Sequence, residues 1–342
     1  MICATRLESC RLLGRPFGRI LARFVARVPA RLLGATAAAC TLAFGIAAAV
    51  DPATASTTTA ASAPPSSAPA FAGPLVLRDD LHHEITLARP PQRIVSLSPP
   101  LTETLCALGE CALLVATDRY SNWPASVKAL PKAGGLYDPQ LELIVRLHPD
   151  LVLISSSQQI TDRLRDFGIE SFALDTQTYA HISHVVTIIG TILGLPDRAA
   201  ALNGRIEADV RRIGDQAMAR RHGPGPSVYF EVDGGPYAAG PESFIGELLT
   251  RLGTHNIVEA NLGPFPKLNP EYVVRSNPDI IFTSPADAPG LAQRPGWDRI
   301  RAVREHRICT FSREISDTIE RAGPRIAEGM RALDDCLARV SP

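Results

Sequence analysis

One order of apolar and polar positions occurs twice in the chain. Residues 142–150 read Glu-Leu-Ile-Val-Arg-Leu-His-Pro-Asp and run into Leu-Val-Leu-Ile-Ser; residues 271–279 read Glu-Tyr-Val-Val-Arg-Ser-Asn-Pro-Asp and run into Ile-Ile-Phe-Thr-Ser. Each copy predicts a helix, a Pro-Asp break and a strand. Proline cannot continue the helix, and the unbroken apolar run that follows fits a parallel strand buried on both faces. A spacing of about 129 residues is too wide for a solenoid repeat and predicts two similar α/β lobes with a cleft between them.

The same patterning fills in the rest. Leu75 to Leu87 alternates around Asp79-Asp80 as a hairpin. Strands are predicted at Arg93–Leu97, Leu113–Thr117, Leu151–Ser155, Ser171–Leu174, Ser227–Val232 and His306–Phe311, alternating with helices as in a parallel sheet. Ser98-Pro99 starts one helix, Asp138-Pro139 the helix of the first repeat, and Pro241 a helix running to Gly253. Residues 180–222 hold no strand signal, and Gly194-Leu195-Pro196-Asp197 divides them into two helices. The second, about Asp197 to Arg221, is long enough to cross between lobes and reads as polar and exposed from Glu207, Asp209, Arg211, Arg212 and Asp215. The predicted fold is α/β, two lobes with mainly parallel central sheets joined by one long interdomain helix. The boundaries are 74–195 for the first lobe, 196–222 for the helix and 223–342 for the second lobe.

The N-terminal part follows a different pattern. Arginines recur at 6, 11, 15, 19, 23, 27 and 31, Leu32 to Val50 carries no charge, and Ala53-Thr54-Ala55 is a small-x-small site. Basic, then apolar, then small is the layout of a secretory signal, assigned to residues 1–55, with an uncleaved membrane anchor as the rival reading. Residues 56–73, rich in Ala, Thr, Ser and Pro, read as a flexible linker. Export makes the periplasm the expected location and permits disulfides. Cys3, Cys10 and Cys40 fall in the signal, which leaves Cys106, Cys111, Cys309 and Cys336. Three pairings are open, of which Cys106–Cys111 with Cys309–Cys336 is the most local; free buried thiols are the alternative.

Composition narrows the function. Lys+Arg and Asp+Glu are 35 each, so the net charge is zero and offers no overall basic field for nucleic acid. No phosphate-binding glycine loop, serine elbow or cysteine–histidine zinc spacing occurs, and no carboxylate pair is singled out for acid–base work, which argues against an enzyme. His181 and His184 stand three apart on a helix without a third ligand nearby, so no metal site and no cofactor are assigned.

Several local sequences carry a resemblance. Arg-Ile-Val-Ser-Leu-Ser-Pro at 93–99, Leu-Glu-Leu-Ile-Val-Arg-Leu-His-Pro-Asp-Leu-Val at 141–152, Gly-Pro-Glu-Ser at 240–243, Asn-Pro-Asp-Ile-Ile at 277–281 and Ser-Asp-Thr-Ile-Glu-Arg-Ala-Gly-Pro-Arg at 316–325 are similar to the periplasmic binding proteins of ABC importers in which one long helix joins two lobes. Those proteins carry cobalamin, iron–siderophores or haem. Tyr120-Ser121-Asn122-Trp123-Pro124 and the 316–325 segment most resemble the cobalamin-binding member. The resemblance implies a monomer that captures a corrinoid, or another metal chelate, and delivers it to a permease–ATPase complex in the inner membrane.

Expected ligand-binding residues follow. Cobalamin is large and flat-faced, so its cleft should present aromatic faces and a few hydrogen-bonding groups. Where the cobalamin binder has tryptophans, this chain holds Leu136 or Tyr137, Ser155 or Ser156, Phe265 and Thr318. Tyr120, Trp123, Tyr137, Tyr237 and Phe265 remain as aromatic walls, with Tyr120 and Trp123 in a loop after a parallel strand. Asp317 is placed in a loop near the cleft by the resemblance, and Arg119 and Arg321 are the arginines available to an anionic chelate. Trp297 has amphipathic spacing and reads as core. Glu142 and Glu242 are read in the first turns of helices, where the dipole favours a carboxylate; the resemblance adds a docking role toward permease arginines, one glutamate per lobe.

Overall fold

A computed structural model describes residues 71–341, apart from 72, 233, 234 and 236. The signal assignment lies outside the described residues, as does the linker apart from Phe71 and Gly73. Among the described residues no helix is long and apolar enough to cross a membrane.

The alternating segment at the start forms β1 (Leu75–Arg78) and β2 (Glu84–Leu87), an antiparallel hairpin. Asp79 turns it: its carboxylate accepts from the Leu81, His83 and Ala173 amides, which ties the hairpin to the first sheet. The first lobe then runs β3 (Ile94–Ser96), α1 (Pro99–Ala107), β4 (Leu114–Thr117), α2 (Leu141–Arg146), β5 (Leu151–Ser155), α3 (Thr161–Asp166), β6 (Ser171–Leu174) and α4 (Tyr179–Ile192). Its four strands are all parallel, in the order β4-β3-β5-β6. The apolar strand residues are buried on both faces, as their unbroken runs required.

α5 (Pro196–Arg220) joins the lobes. The second lobe runs β7 (Ser227–Val232), β8 (Tyr237–Ala238), α6 (Phe244–Arg251), β9 (His255–Asn256), α7 (Pro270–Ser276), β10 (Ile280–Phe282), α8 (Arg301–Arg304), β11 (Ile308–Cys309), α9 (Arg313–Ile319) and α10 (Ile326–Val340). Strand β7 lies between β9 and β10, β10 pairs β11, and these pairings are parallel; only β8 runs antiparallel to β7. The order β9-β7-β10-β11 repeats that of the first sheet, with β10 in the place of β5.

The Pro-Asp of each repeat has a specific task. Asp150 accepts from the Gln92 and Arg93 amides at the start of β3, and Asp279 accepts from the Ser227 amide and hydroxyl at the start of β7. Each carboxylate thus sets the register of its strand against the neighbour. Burial alone would raise the Asp279 carboxyl, but the Ser227 bonds and Arg301 outweigh it and hold it below the ordinary value. His148 and Asn277, each just before the proline, have φ of 45°, so both copies stop the helix with a left-handed residue.

Five expectations need correction. α5 is not polar all round: Ala199, Leu202, Ile206, Val210, Ile213 and Ala217 form a buried face against α4 and then α10. The helix expected from Pro241 starts at Phe244, because the Ser243 hydroxyl caps it, accepting from the Gly246 amide and donating to the Gly240 carbonyl. The Gly-Pro-Glu-Ser segment is that capped turn, so Glu242 precedes the helix rather than sitting in its first turn. The late strand is only Ile308–Cys309, and the chain after it forms α9, which places Asp317 on a helix rather than in a loop. Cys106 is bonded to Cys111 and Cys309 to Cys336, the second tying β11 to α10. Trp297 is core, edge-on to Tyr229 at 6.0 Å.

Candidate functional site

Parallel strands direct their carboxyl ends to one edge of the sheet, and ligands of open α/β sheets bind beyond that edge where the strand order reverses. In the first lobe the reversal flanks β3 and β5. The chain just past them, at Leu97–Ser98 and Ser155–Ser157, lines a cleft, as does Thr176-Gln177 beyond β6. The second lobe answers with the ends of β7, β10 and β11 and with α9. The cleft has two chambers of about 650 and 720 Å³ that share Tyr120, Asp317 and Glu320. The larger is walled by Leu97, Leu136, Tyr137, Phe244 and Phe265. The smaller lies on the second lobe, on Phe230 and Phe311, with Glu231, Thr283, Ser284, Asp287, Arg313 and Ser316 around it. Phe282 stacks between Phe230 and Phe311, with centroids 5.5 and 6.3 Å away.

A polar network fixes the wall between the lobes. Arg321, which follows α9 and lines the cleft, donates to Glu103 of α1 at 2.8 Å, to the Asn122 side-chain carbonyl at 2.9 Å and to the Tyr120 carbonyl at 3.0 Å. Asp317 lies 3.2 Å from the same guanidinium and accepts from the Asn122 amide at 2.7 Å. Glu103, Asn122 and Tyr120 belong to the first lobe, Asp317 and Arg321 to the second. Glu103 is buried, and its second carboxylate oxygen has no partner. Burial therefore raises its carboxyl above the ordinary range, despite the hydrogen bond and charge of Arg321. Asp118, at the end of β4 and also lining the cleft, is raised for the same reason against bonds from Ser121 and the Tyr120 amide. A second fastening lies at the helices: Tyr179 of α4 donates to Glu207 of α5 at 2.9 Å, and Arg251 of α6 covers the Tyr179 ring at 4.4 Å.

Four of the six expected ligand-binding residues meet at the cleft: Tyr120, Tyr137, Phe265 and Asp317. Tyr120 and Tyr137 are 53% and 92% exposed, which leaves their rings open to a ligand. Phe265 leans on Phe244, with centroids 5.8 Å apart. Trp123 and Tyr237 do not line either chamber. Trp123 is half-buried under the Arg325 guanidinium, 4.9 Å from its centroid, and Tyr237 is half-exposed on the short β8. Arg119 is taken by Asp138. Sequence reasoning passed over Glu103 and Asn122, since nothing local marks a residue whose partner is some 200 positions away; it also passed over Arg313, hidden in a segment taken for a loop.

Glu142 is exposed at the second position of α2, five residues past Tyr137, and Glu242 is exposed just ahead of the cleft residues Phe244 and Ile245. Each therefore stands on a segment leading from or into the cleft wall, one on each lobe. His184 lies 3.1 Å from Asp80 and His181 3.3 Å from Asp175, a use for both that involves no metal. Among the described residues no group of three or more His, Cys, Asp or Glu is arranged to hold a metal ion.

Comparisons agree with this architecture. The chain is 29% identical over 273 residues to an uncharacterised ABC transporter substrate-binding lipoprotein, YvrC, of Bacillus subtilis, covering 77% of this chain and 85% of that protein. It is 28% identical over 268 residues to a cobalamin-binding protein of Halobacterium salinarum, covering 75% and 72%. The crystal structure of a possible iron-binding periplasmic solute-binding protein from Staphylococcus epidermidis superposes with a TM-score of 0.64 at 27% identity, covering 73% of this chain and 99% of that one. The periplasmic binding protein family matches residues 94–314, about two thirds of the sequence. The chain belongs to the periplasmic binding protein family: it is an extracytoplasmic solute-binding component of an ABC transporter, not an enzyme.

Proposed function

We propose that the protein captures cobalamin or a related corrinoid and delivers it to an inner-membrane permease. The observation that carries this reading is the make-up of the cleft. Its two joined chambers suit a bulky ligand, and Tyr120, Tyr137 and Phe265 offer flat faces to a macrocycle. Around them stand the carboxylates Asp118 and Asp317, with Gln177, Ser155 and Ser157, which can accept as well as donate. A corrin ring is fringed with primary amides, which donate. An iron–siderophore rich in carboxylates or catecholates would bring several negative charges to a cleft where Arg321 is already spent on Glu103 and Asp317, leaving Arg313 alone to meet them. The relative from Halobacterium salinarum, named as cobalamin-binding, supports the same choice. Haem or an iron–siderophore is the alternative. Calorimetric titration of the purified protein with cyanocobalamin, haemin and a ferric hydroxamate tests it: saturable binding of cyanocobalamin is expected, and binding of only haemin or the hydroxamate would replace it.

Glu142 and Glu242 serve, in this reading, as docking points for arginines of the permease. Both are exposed, and Glu142 borders a surface hollow with Leu141, Val145, Arg146, Arg163, Asp166 and Phe167, the last 58% exposed. A surface that mixes apolar and charged side chains is suited to the rim of a protein interface.

A further inference from the structure

The cleft contains an arginine whose charge no described residue pairs. Arg313 opens α9 and lines the smaller chamber beside Phe311 and Ser316. Its side chain is exposed and has no hydrogen bond, ion pair or ring partner among the described residues. The natural partner one turn on is Asp317, at i,i+4. That carboxylate instead faces Asn122 and Arg321. Arg294, which reaches Glu231 behind the chamber, is likewise spent in a two-pronged pair. Of the arginines that line the cleft, Arg321 is saturated and Arg313 is not.

We propose that Arg313 is the anion-reading residue of this cleft and takes a single oxyanion substituent carried by a bulky macrocycle. A guanidinium presents a planar fork of N–H donors that matches phosphate and carboxylate oxygens. One uncommitted cation in an otherwise acceptor-rich cleft fits a ligand with many donors and one anion. The proposal rests on the cleft as ligand site, and on the corrinoid reading only for the oxyanion's source. In a corrinoid the oxyanion is the phosphodiester of the nucleotide tail; in haem it is a propionate. Anionic groups elsewhere on a ligand that came close to Asp287 would be disfavoured.

The test compares wild type with Arg313→Gln by calorimetry, using cyanocobalamin against dicyanocobinamide, which lacks the phosphodiester, and haemin against its dimethyl ester. The wild type should prefer the oxyanion-bearing member of the pair it binds by about tenfold, equivalent to about 1.4 kcal/mol. Arg313→Gln should remove most of that preference, Arg313→Lys should keep part of it, and the preference should shrink with added salt. Because Arg313 is exposed, the variants should melt with the wild type. If haemin binds and no corrinoid does, the corrinoid reading fails while the haemin pair still decides the role of Arg313. An unchanged preference in Arg313→Gln, equal weakening of both members of a pair, or binding of none of the four overturns the proposal.

Discussion

At the scale of single residues, the least replaceable group near the cleft is Glu103. Its carboxylate is buried and half-satisfied, and it holds Arg321 against Tyr120, Asn122 and Asp317. Breaking a buried pair leaves the other charge uncompensated, so Glu103→Ala should cost on the order of 3 kcal/mol in chemical denaturation. Glu103→Gln should cost less, because it keeps a hydrogen-bond acceptor and buries no charge. The pH dependence distinguishes the two forms. The Glu103 carboxyl is raised in the fold, so its favourable contribution is complete below the unfolded carboxylate value and is lost as pH rises through the raised one. Relative to wild type, Glu103→Gln should therefore gain stability as pH rises through that acid range. A difference that does not vary with pH would remove burial as the cause. The sequence marked Tyr120 because a loop after a parallel strand is where ligands meet α/β sheets, Tyr137 and Phe265 as aromatic faces in loops, and Asp317 only through the family resemblance. It did not give the direction of a ring, which is how Trp123 and Tyr237 entered the same set, nor pairings across the lobes.

At the scale of elements, the apolar runs and the Pro-Asp breaks made the parallel strands legible, and β5, β6 and β7 begin and end where the apolar patterns do. Elements that rest on tertiary contact were harder to read. α9 lacks a long apolar period, and β11 is a two-residue edge strand fastened by Cys309–Cys336. α5 was legible in length and as the joining helix but not in its packing, since its charges drew attention from the buried stripe. That stripe meets α4 closely: a Cβ at Gly190 would stand 2.4 Å from the Ala199 Cβ. Gly190→Ala should therefore force α4 and α5 apart and cost about 1–3 kcal/mol, although alanine is the better helix former. Melting that is unchanged or raised in this variant would show that the α4–α5 contact is looser than described.

At the scale of the whole molecule, two lobes with the same parallel strand order face each other across the cleft, joined by α5 and fastened at Glu103–Arg321 and at Tyr179–Glu207–Arg251. Two fastenings and a helix packed along its length favour a preformed cleft, so ligand capture needs little closure. If Glu142 and Glu242 dock on the permease as proposed, the same rigidity would hold them at a fixed separation. Glu142→Arg with Glu242→Arg should leave ligand affinity unchanged and abolish uptake by cells, with each single change weaker. Normal uptake by the double variant would remove the docking role and leave Glu142 to stabilise the start of α2, worth about 0.3–1 kcal/mol. The central claim, that this family member holds a corrinoid in a cleft of aromatic faces and acceptors, is tested most directly by titrating the purified protein with cyanocobalamin in a calorimeter. The account predicts saturable binding of one corrinoid per chain, weakened about thirtyfold by Tyr120→Ala, since truncating an aromatic anchor costs about 2 kcal/mol. No heat with any corrinoid, together with tight binding of haemin or a ferric hydroxamate, would contradict it.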